Sequence, residues 1–189
     1  MIGAQPAQPL RLVKPRQRPD ATGAVTLRSA SVDDAPAVHG LIVDHLQEGH
    51  LLARRLEEIV ARIDRFVVAA DGRRVVACAE LAPLSPSVAE VRSLVVGSEA
   101  RRHRLGQRIV NELIRRAITA GFDKLCAFAH SPGYFVQMGF SIVPHGWLPE
   151  KIVTDCHSCP QFRRCGQYAV VHELARPRES CVPLAALHG

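Results

Sequence analysis

The segment Glu90-Val-Arg-Ser-Leu-Val-Val-Gly-Ser-Glu-Ala-Arg101-Arg-His-Arg104-Leu-Gly-Gln107 concentrates the chemistry of this chain. An apolar strand runs into a basic, glycine-containing turn, and the turn opens a helix. The first N–H groups of a helix have no partner inside it, and the helix dipole adds positive potential there. Such a junction suits phosphate groups, and Arg101, Arg102 and Arg104, beside His103, add cationic donors. An ordinary basic strand–helix turn fits the same residues equally well. A second cluster, Cys156, Cys159 and Cys165, offers three thiols within ten residues. Zinc takes four tetrahedral ligands, and His145, His157, His172 or Cys181 could supply a fourth. A structural zinc centre more often shows two CxxC-type pairs, so structural thiols are favoured over a metal. His39, His45 and His130 have no motif around them and read as structural or surface residues.

These groups need elements to position them. Val25 to Arg28 reads as a short strand, and Ser31-Val-Asp-Asp34 as a variant capping box, with Pro36 tolerated in the first turn. Val38, Leu41, Ile42 and Leu46 recur at helical spacing, and Leu52, Leu56, Ile59, Val60 and Ile63 predict a second helix over 52–64. The period then switches. Phe66–Ala70 and Val75–Leu81 are strands about the Asp71-Gly72 turn, and Val88–Val96 is a third. A loop over 97–104 leads into a helix from Leu105 to about Ala120, ended by Gly121. Lys124–Ala129, 139–143 and Gln167–Leu174 read as strands, with a short helix over 132–138. The order is β-α-α-β-β-β-α-β-α-β-β, one mixed α/β domain over 23–175. A basic, proline-containing tail over 1–22 reads as disordered, with a transit peptide as the lesser alternative, and 176–189 as a loose tail.

The length of 189 residues fits one domain. No apolar run approaches the ~18–20 residues that span a bilayer, which excludes a helical membrane protein. The formal charge of +6 points to an anionic partner or substrate. Six cysteines without a secretory signal favour a reducing compartment, and cytoplasmic localisation is expected.

Arg101-Arg-His-Arg104-Leu-Gly106 resembles the phosphate loop Arg/Gln-x-x-Gly-x-Gly/Ala of the GNAT superfamily of acetyl-CoA-dependent N-acetyltransferases, with Arg104 in place of the first glycine. Tyr134-Phe-Val-Gln-Met-Gly139-Phe140 resembles the superfamily's aromatic-x-x-x-Gly-Phe ending. The resemblance covers about 25–174. It implies a GNAT fold, a single largely antiparallel sheet flanked by helices, whose central strand pair splays. Backbone groups of Leu94, Val95 and Val96 would then hold the pantetheine arm of acetyl-CoA. Arg101, Arg102, His103, Arg104, Leu105, Gly106 and Gln107 would cradle its pyrophosphate.

Further segments, Ala89-Glu-Val-Arg-Ser-Leu-Val-Val, Pro132-Gly-Tyr-Phe, Trp147-Leu-Pro-Glu-Lys-Ile and Asp155-Cys-x-x-Cys-Pro-x-Phe-x-x-Cys, resemble the short bacterial amino-acid N-acetyltransferases, the N-acetylglutamate synthases of arginine biosynthesis. Longer synthases add an arginine-sensing kinase-like domain, for which this length leaves no room. The resemblance implies Glu90 as the general base, with an exposed or ion-paired strand carboxylate as the alternative and Glu80 as the reserve. Arg92 and Lys151, with Ser93, would bind the acceptor's carboxylates, with ordinary surface charges as the alternative for both cations. The usual tyrosine acid falls at Phe135, with Tyr134 beside it. Either Tyr134 serves through a shifted backbone or no tyrosine acid is used, and the good thiolate leaving group favours the second.

Together these features point to direct acetyl transfer from acetyl-CoA to an amino acid's α-amine, glutamate first, with no nucleic acid or membrane partner and a homodimer possible. The alternatives are another amine, such as a protein lysine or a polyamine, and a degenerate CoA-binding sensor, which the substitution at Arg104 would suit. A nucleic-acid binder rests only on the basic charge.

Overall fold

From Phe66 onward apolar residues follow the alternating period of strands, and the sheet is built outward from that point. The computed structural model describes residues 25–48, 51–160 and 162–174, with the backbone alone at 102 and 103. The tails predicted over 1–22 and 176–189, and Cys181, lie outside the described residues. In chain order the elements are β1 (Thr26–Ser29), α1 (Ala35–Asp44), α2 (Leu56–Val60), β2 (Phe66–Asp71), β3 (Arg74–Pro83), β4 (Val88–Val96), α3 (Leu105–Thr119), β5 (Lys124–Ala129), α4 (Gly133–Val136), β6 (Ser141–Val143), α5 (Pro149–Thr154) and β7 (Tyr168–Glu173). The strands form one sheet in the order β1-β2-β3-β4-β5-β7-β6. Only β4 and β5 run parallel, joined through α3. This is the mixed, largely antiparallel sheet that the sequence predicts.

One sheet face is covered by α3, whose Leu105, Ile109, Val110, Leu113 and Ala117 pack on Val67, Ala79, Val91 and Leu125. The other face is covered in two separate patches. Val38, Ile42 and Ile59 of α1 and α2 lie over Phe66, Val68 and Cys78. Leu148, just before α5, lies over Val88, Cys126, Ala169 and Val171. Between the patches that face turns polar and carries Glu80, Glu90 and Arg92, with Glu80 and Arg92 directly opposite one another across β3 and β4.

The strand pair at the centre parts. β4 follows β3 from Ala89 to Val96, yet its pairing with β5 runs only from Val88 opposite Lys124 to Val91 opposite Ala127. At the point of parting β4 holds one extra residue. Cys78 faces Val95 while Glu80 faces Arg92, and Ser93 takes φ +50°. A bulge of this kind re-aims the residues beyond it. Val95 therefore packs under α1, while Leu94 and Val96 pack toward α3.

Four expectations need correction. The helix predicted over 52–64 is a single turn and a half, Leu56–Val60, followed by a 3-10 turn at Ile63–Arg65. Its N-terminal part is pulled straight because Arg54 must reach the buried Glu80, and Leu52 is left exposed. The loop over 97–104 contains a 3-10 helix, Ser98–His103. The strand expected from 139 starts at Ser141, because Gly139 turns the chain at φ +86°. The unassigned stretch after 143 holds α5, anchored by Leu148.

Candidate active site

Where β4 and β5 part, a cleft of about 830 Å³ opens, bounded by Arg54, Arg92, Val96, Arg101, Tyr134 and Lys151 among others. Its floor is a cluster of four charges. Glu90, nearly fully buried, accepts from Lys151 Nζ at 2.7 and 2.9 Å on its two oxygens, and from Arg92 Nε at 2.5 Å. Asp155 Oδ2 accepts from Lys151 Nζ at 3.0 Å and also from Arg92 Nη2. Strand alternation places Glu90 and Arg92 on one face. Helical spacing from Lys151 brings Asp155 onto the same corner at the end of α5. The Lys151 ammonium also lies 5.1 Å from the centre of the Phe128 ring, a cation–π arrangement. Burial disfavours the Arg92 cation, but Glu90 first and then Asp155 and Glu80 more than offset this and raise its pKa.

Glu80, the reserve base, is fully buried and accepts from Arg54 Nη2 at 2.8 Å. Its Oε1 and Arg54 Nε have no hydrogen-bond partner among the described residues. Glu90, by contrast, borders the cleft. Ser93 sits at the bulge and also borders the cleft.

At the far end of the cleft lie the residues expected to hold acetyl-CoA. Leu94, Val95 and Val96 line it, and beyond Val91 the β5-facing edge of β4 has no strand partner among the described residues. Arg101 borders the cleft, donates to the Val96 carbonyl at 3.3 Å and pairs with Glu48. Leu105 is buried under α3, so only its backbone faces outward, and Gly106 and Gln107 are half-buried in the first turn. Arg104 takes the left-handed conformation, φ +52° and ψ +24°, directly before α3. A glycine would adopt it without strain, which is the physical meaning of the residue that Arg104 replaces. Its side chain points to solvent. The side chains of Arg102 and His103 lie outside the described residues.

Tyr134 and Phe135 divide their roles clearly. Phe135 is buried against Phe140, while Tyr134 borders the cleft and its buried hydroxyl has no hydrogen-bond partner among the described residues. Burial pushes the phenol up to about 12, so it remains a proton donor across the neutral range. A Cβ on Gly106 would lie 2.4 Å from this hydroxyl, so the glycine is what lets α4 and α3 meet. Tyr134 thus stands at the side of the cleft, where α4 meets the first turn of α3.

Cys156 and Cys159 are half-buried and Cys165 exposed, beside α5. Among the described residues no group of three His, Cys, Asp or Glu side chains could hold a metal ion. No described helix is long and apolar enough to cross a membrane.

Two residues without an assigned role in the sequence complete the site. Asp155 could have been found from its spacing to Lys151. Arg54 gives no signal, because its partner Glu80 is 26 residues away.

Comparison with known proteins places this geometry. Residues 29–140 match the model of the Acetyltransferase (GNAT) family. An N-acetyltransferase of Chlorobaculum tepidum is 30% identical over 148 residues, 78% of this chain and 96% of that protein. The amino-acid acetyltransferase of Shewanella oneidensis is 30% identical over 130 residues, 68% of this chain but only 29% of that longer protein. Among solved structures, the N-acetylglutamate synthase of Neisseria gonorrhoeae, complexed with coenzyme A and N-acetyl-glutamate, superposes with a TM-score of 0.72 at 26% identity. That match covers 80% of this chain and 35% of the synthase. Fold, parted strands and relatives agree, and the chain belongs to the GNAT family of acetyltransferases.

Proposed function

We propose that this acetyltransferase moves the acetyl group of acetyl-CoA to the α-amine of an amino acid, with L-glutamate the first candidate. The observation that carries this reading is the Glu90–Arg92–Lys151 cluster at the floor of the cleft, next to the unpaired edge of β4. It sets a carboxylate able to take a proton beside two cations able to hold an acid. The relatives named as amino-acid acetyltransferases, and the synthase structure with its bound N-acetyl-glutamate, support the same acceptor.

In this mechanism Arg92 and Lys151 orient the acceptor through a carboxylate, Arg92 with its planar fork. Glu90 takes the first proton from the ammonium and passes it to solvent. The freed amine forms the new C–N bond to the acetyl carbon, and the C–S bond to CoA breaks. Backbone N–H groups along the open edge of β4 face the developing oxyanion. As the amide forms, the second amine proton passes to solvent, and Tyr134 is the group that hands a proton to the departing thiolate and takes one back from solvent. The first turn of α3, with Arg101, holds the pyrophosphate.

The experiment is CoA thiol release with a panel of free amino acids, a polyamine and a lysine peptide. Selective turnover with glutamate is expected. Turnover only with amines lacking a carboxylate would overturn the acceptor assignment, and CoA binding without any turnover would favour a sensor.

A further inference from the structure

The two cations assigned to the acceptor already have carboxylate partners. Two acids, Glu90 and Asp155, balance Arg92 and Lys151, so the floor of the cleft carries no net charge to attract an acidic acceptor. The two acids differ in how they are held. The Glu90 side chain is 4% exposed, and those of Arg92 and Lys151 are 14% exposed, whereas that of Asp155 is 35% exposed. Asp155 meets both cations through the same oxygen, Oδ2. It stands at the residue that ends α5, with backbone angles of −130° and −42° that continue neither helix nor strand. The same residue opens the 3-10 turn Cys156–Ser158, so it stands at a junction and not inside an element. The outermost carboxylate of the cluster is thus the least firmly held.

We propose that Asp155 is a resident carboxylate that occupies the acceptor's carboxylate position and gives it up when the acceptor binds, which makes it a specificity-determining residue. The inference rests on the acceptor reading above and sharpens it. A carboxylate of the incoming amino acid replaces Asp155 Oδ2 between Arg92 and Lys151, and Asp155 turns to solvent. An amine without a carboxylate has nothing to exchange for Asp155 and meets a neutral floor, so polyamines and lysine side chains are excluded by the same contact. The acceptor's carboxylate takes up the same two cation contacts that the half-buried Asp155 gives up, so the net interaction changes little. The acceptor's affinity is therefore set by how strongly Asp155 competes.

The test compares the full-length wild-type chain with Asp155→Asn, a near-isosteric change that keeps the shape and removes the competing charge. At saturating acetyl-CoA the KM for L-glutamate is expected to fall about five- to tenfold in Asp155→Asn, with a smaller change in kcat. Asp155→Ala should shift KM in the same direction, which separates lost competition from a new amide contact. A KM that is unchanged or higher in both variants, with the wild type active, overturns the inference and leaves the acceptor reading standing. A higher KM would mark Asp155 as a contact for the acceptor's ammonium. A wild type that acetylates no amino acid overturns the acceptor reading itself. Calorimetric titration with N-acetyl-L-glutamate in the presence of CoA then judges Asp155 alone: tighter binding by Asp155→Asn upholds the inference, and equal or undetectable binding by both proteins overturns it.

Discussion

In the proposed mechanism Glu90 serves two demands that pull in opposite directions. As a nearly buried carboxylate it anchors Arg92 and Lys151 to the sheet, and as a base it must take a proton while held by both. Glu90→Gln should therefore show two losses at once. Removal of one partner of a buried charge cluster destabilises by about 3–5 kcal/mol, and loss of a positioned base lowers kcat roughly 10²–10⁴-fold. Thermal melts and steady-state rates on the same preparation check both. Tyr134 should behave differently. Its hydroxyl is buried without a partner among the described residues, so Tyr134→Phe removes an unsatisfied group and leaves the protein as stable or slightly more so. If it protonates the thiolate, kcat still falls. A stable variant with wild-type kcat would show that the thiolate leaves unaided. Glu90, Arg92 and Lys151, which line the cleft, were singled out in the sequence because strand alternation and a family motif locate them. Which of Phe135 and Tyr134 turns inward was not, because it depends on which ring the Phe140 pocket accepts.

At the scale of elements, the first turn of α3 and the short α4 meet at one contact, and Gly106 is what makes it possible. A Cβ there would stand 2.4 Å from the Tyr134 oxygen but 3.4 Å from the ring carbon that bears it. Gly106→Ala should thus be destabilising in the wild type and close to neutral in a Tyr134→Phe background, a coupling of about 0.5–3 kcal/mol in a double-mutant cycle. Melting temperatures of the four proteins check this, and additive effects would mean that Tyr134 moves aside freely. Arg104 is a second point of strain before α3. Its left-handed backbone disfavours any side chain by about 1–2 kcal/mol, so Arg104→Gly should raise the melting temperature modestly despite the greater freedom of glycine in the unfolded chain. All seven strands and α3 were legible from their periods. The helix over 52–64 was read too long because an amphipathic stripe does not reveal that Arg54 is drawn away to Glu80. α5 escaped notice for the opposite reason. Its grip on the sheet is the single residue Leu148, too little to make a stripe.

For the whole molecule, the basic excess that suggested an anionic partner is partly committed to holding the fold together. Arg28 pairs with Asp34 through both nitrogens, at 2.6 and 2.7 Å, and Ser31 N–H donates to the same carboxylate at 2.7 Å. This ties the edge strand β1 to the start of α1. Arg116 and Arg108 of α3 reach across to Ser29 Oγ and the Val25 carbonyl, and Glu112 binds Arg115 and Arg116. The Arg28 hydrogen bonds hold the Asp34 carboxyl far below its usual range, and Arg115 and Arg116 hold Glu112 down at about 2. Both groups bind their proton more weakly when folded than when unfolded. Their stabilisation is thus complete above the unfolded carboxylate range, about pH 4, and is lost as the pH falls toward the folded values. The melting temperature should be nearly flat from pH 7 to 5 with respect to these groups and drop steeply between about pH 4 and 2. Asp34→Asn separates the contribution of the β1–α1 tie. It should melt lower than the wild type at pH 7, because Arg28 loses its partner, and the gap should narrow as the pH approaches 2. A gap that stays constant with pH would mean that the Asp34 charge contributes nothing and that the loss comes from hydrogen bonds the amide cannot accept.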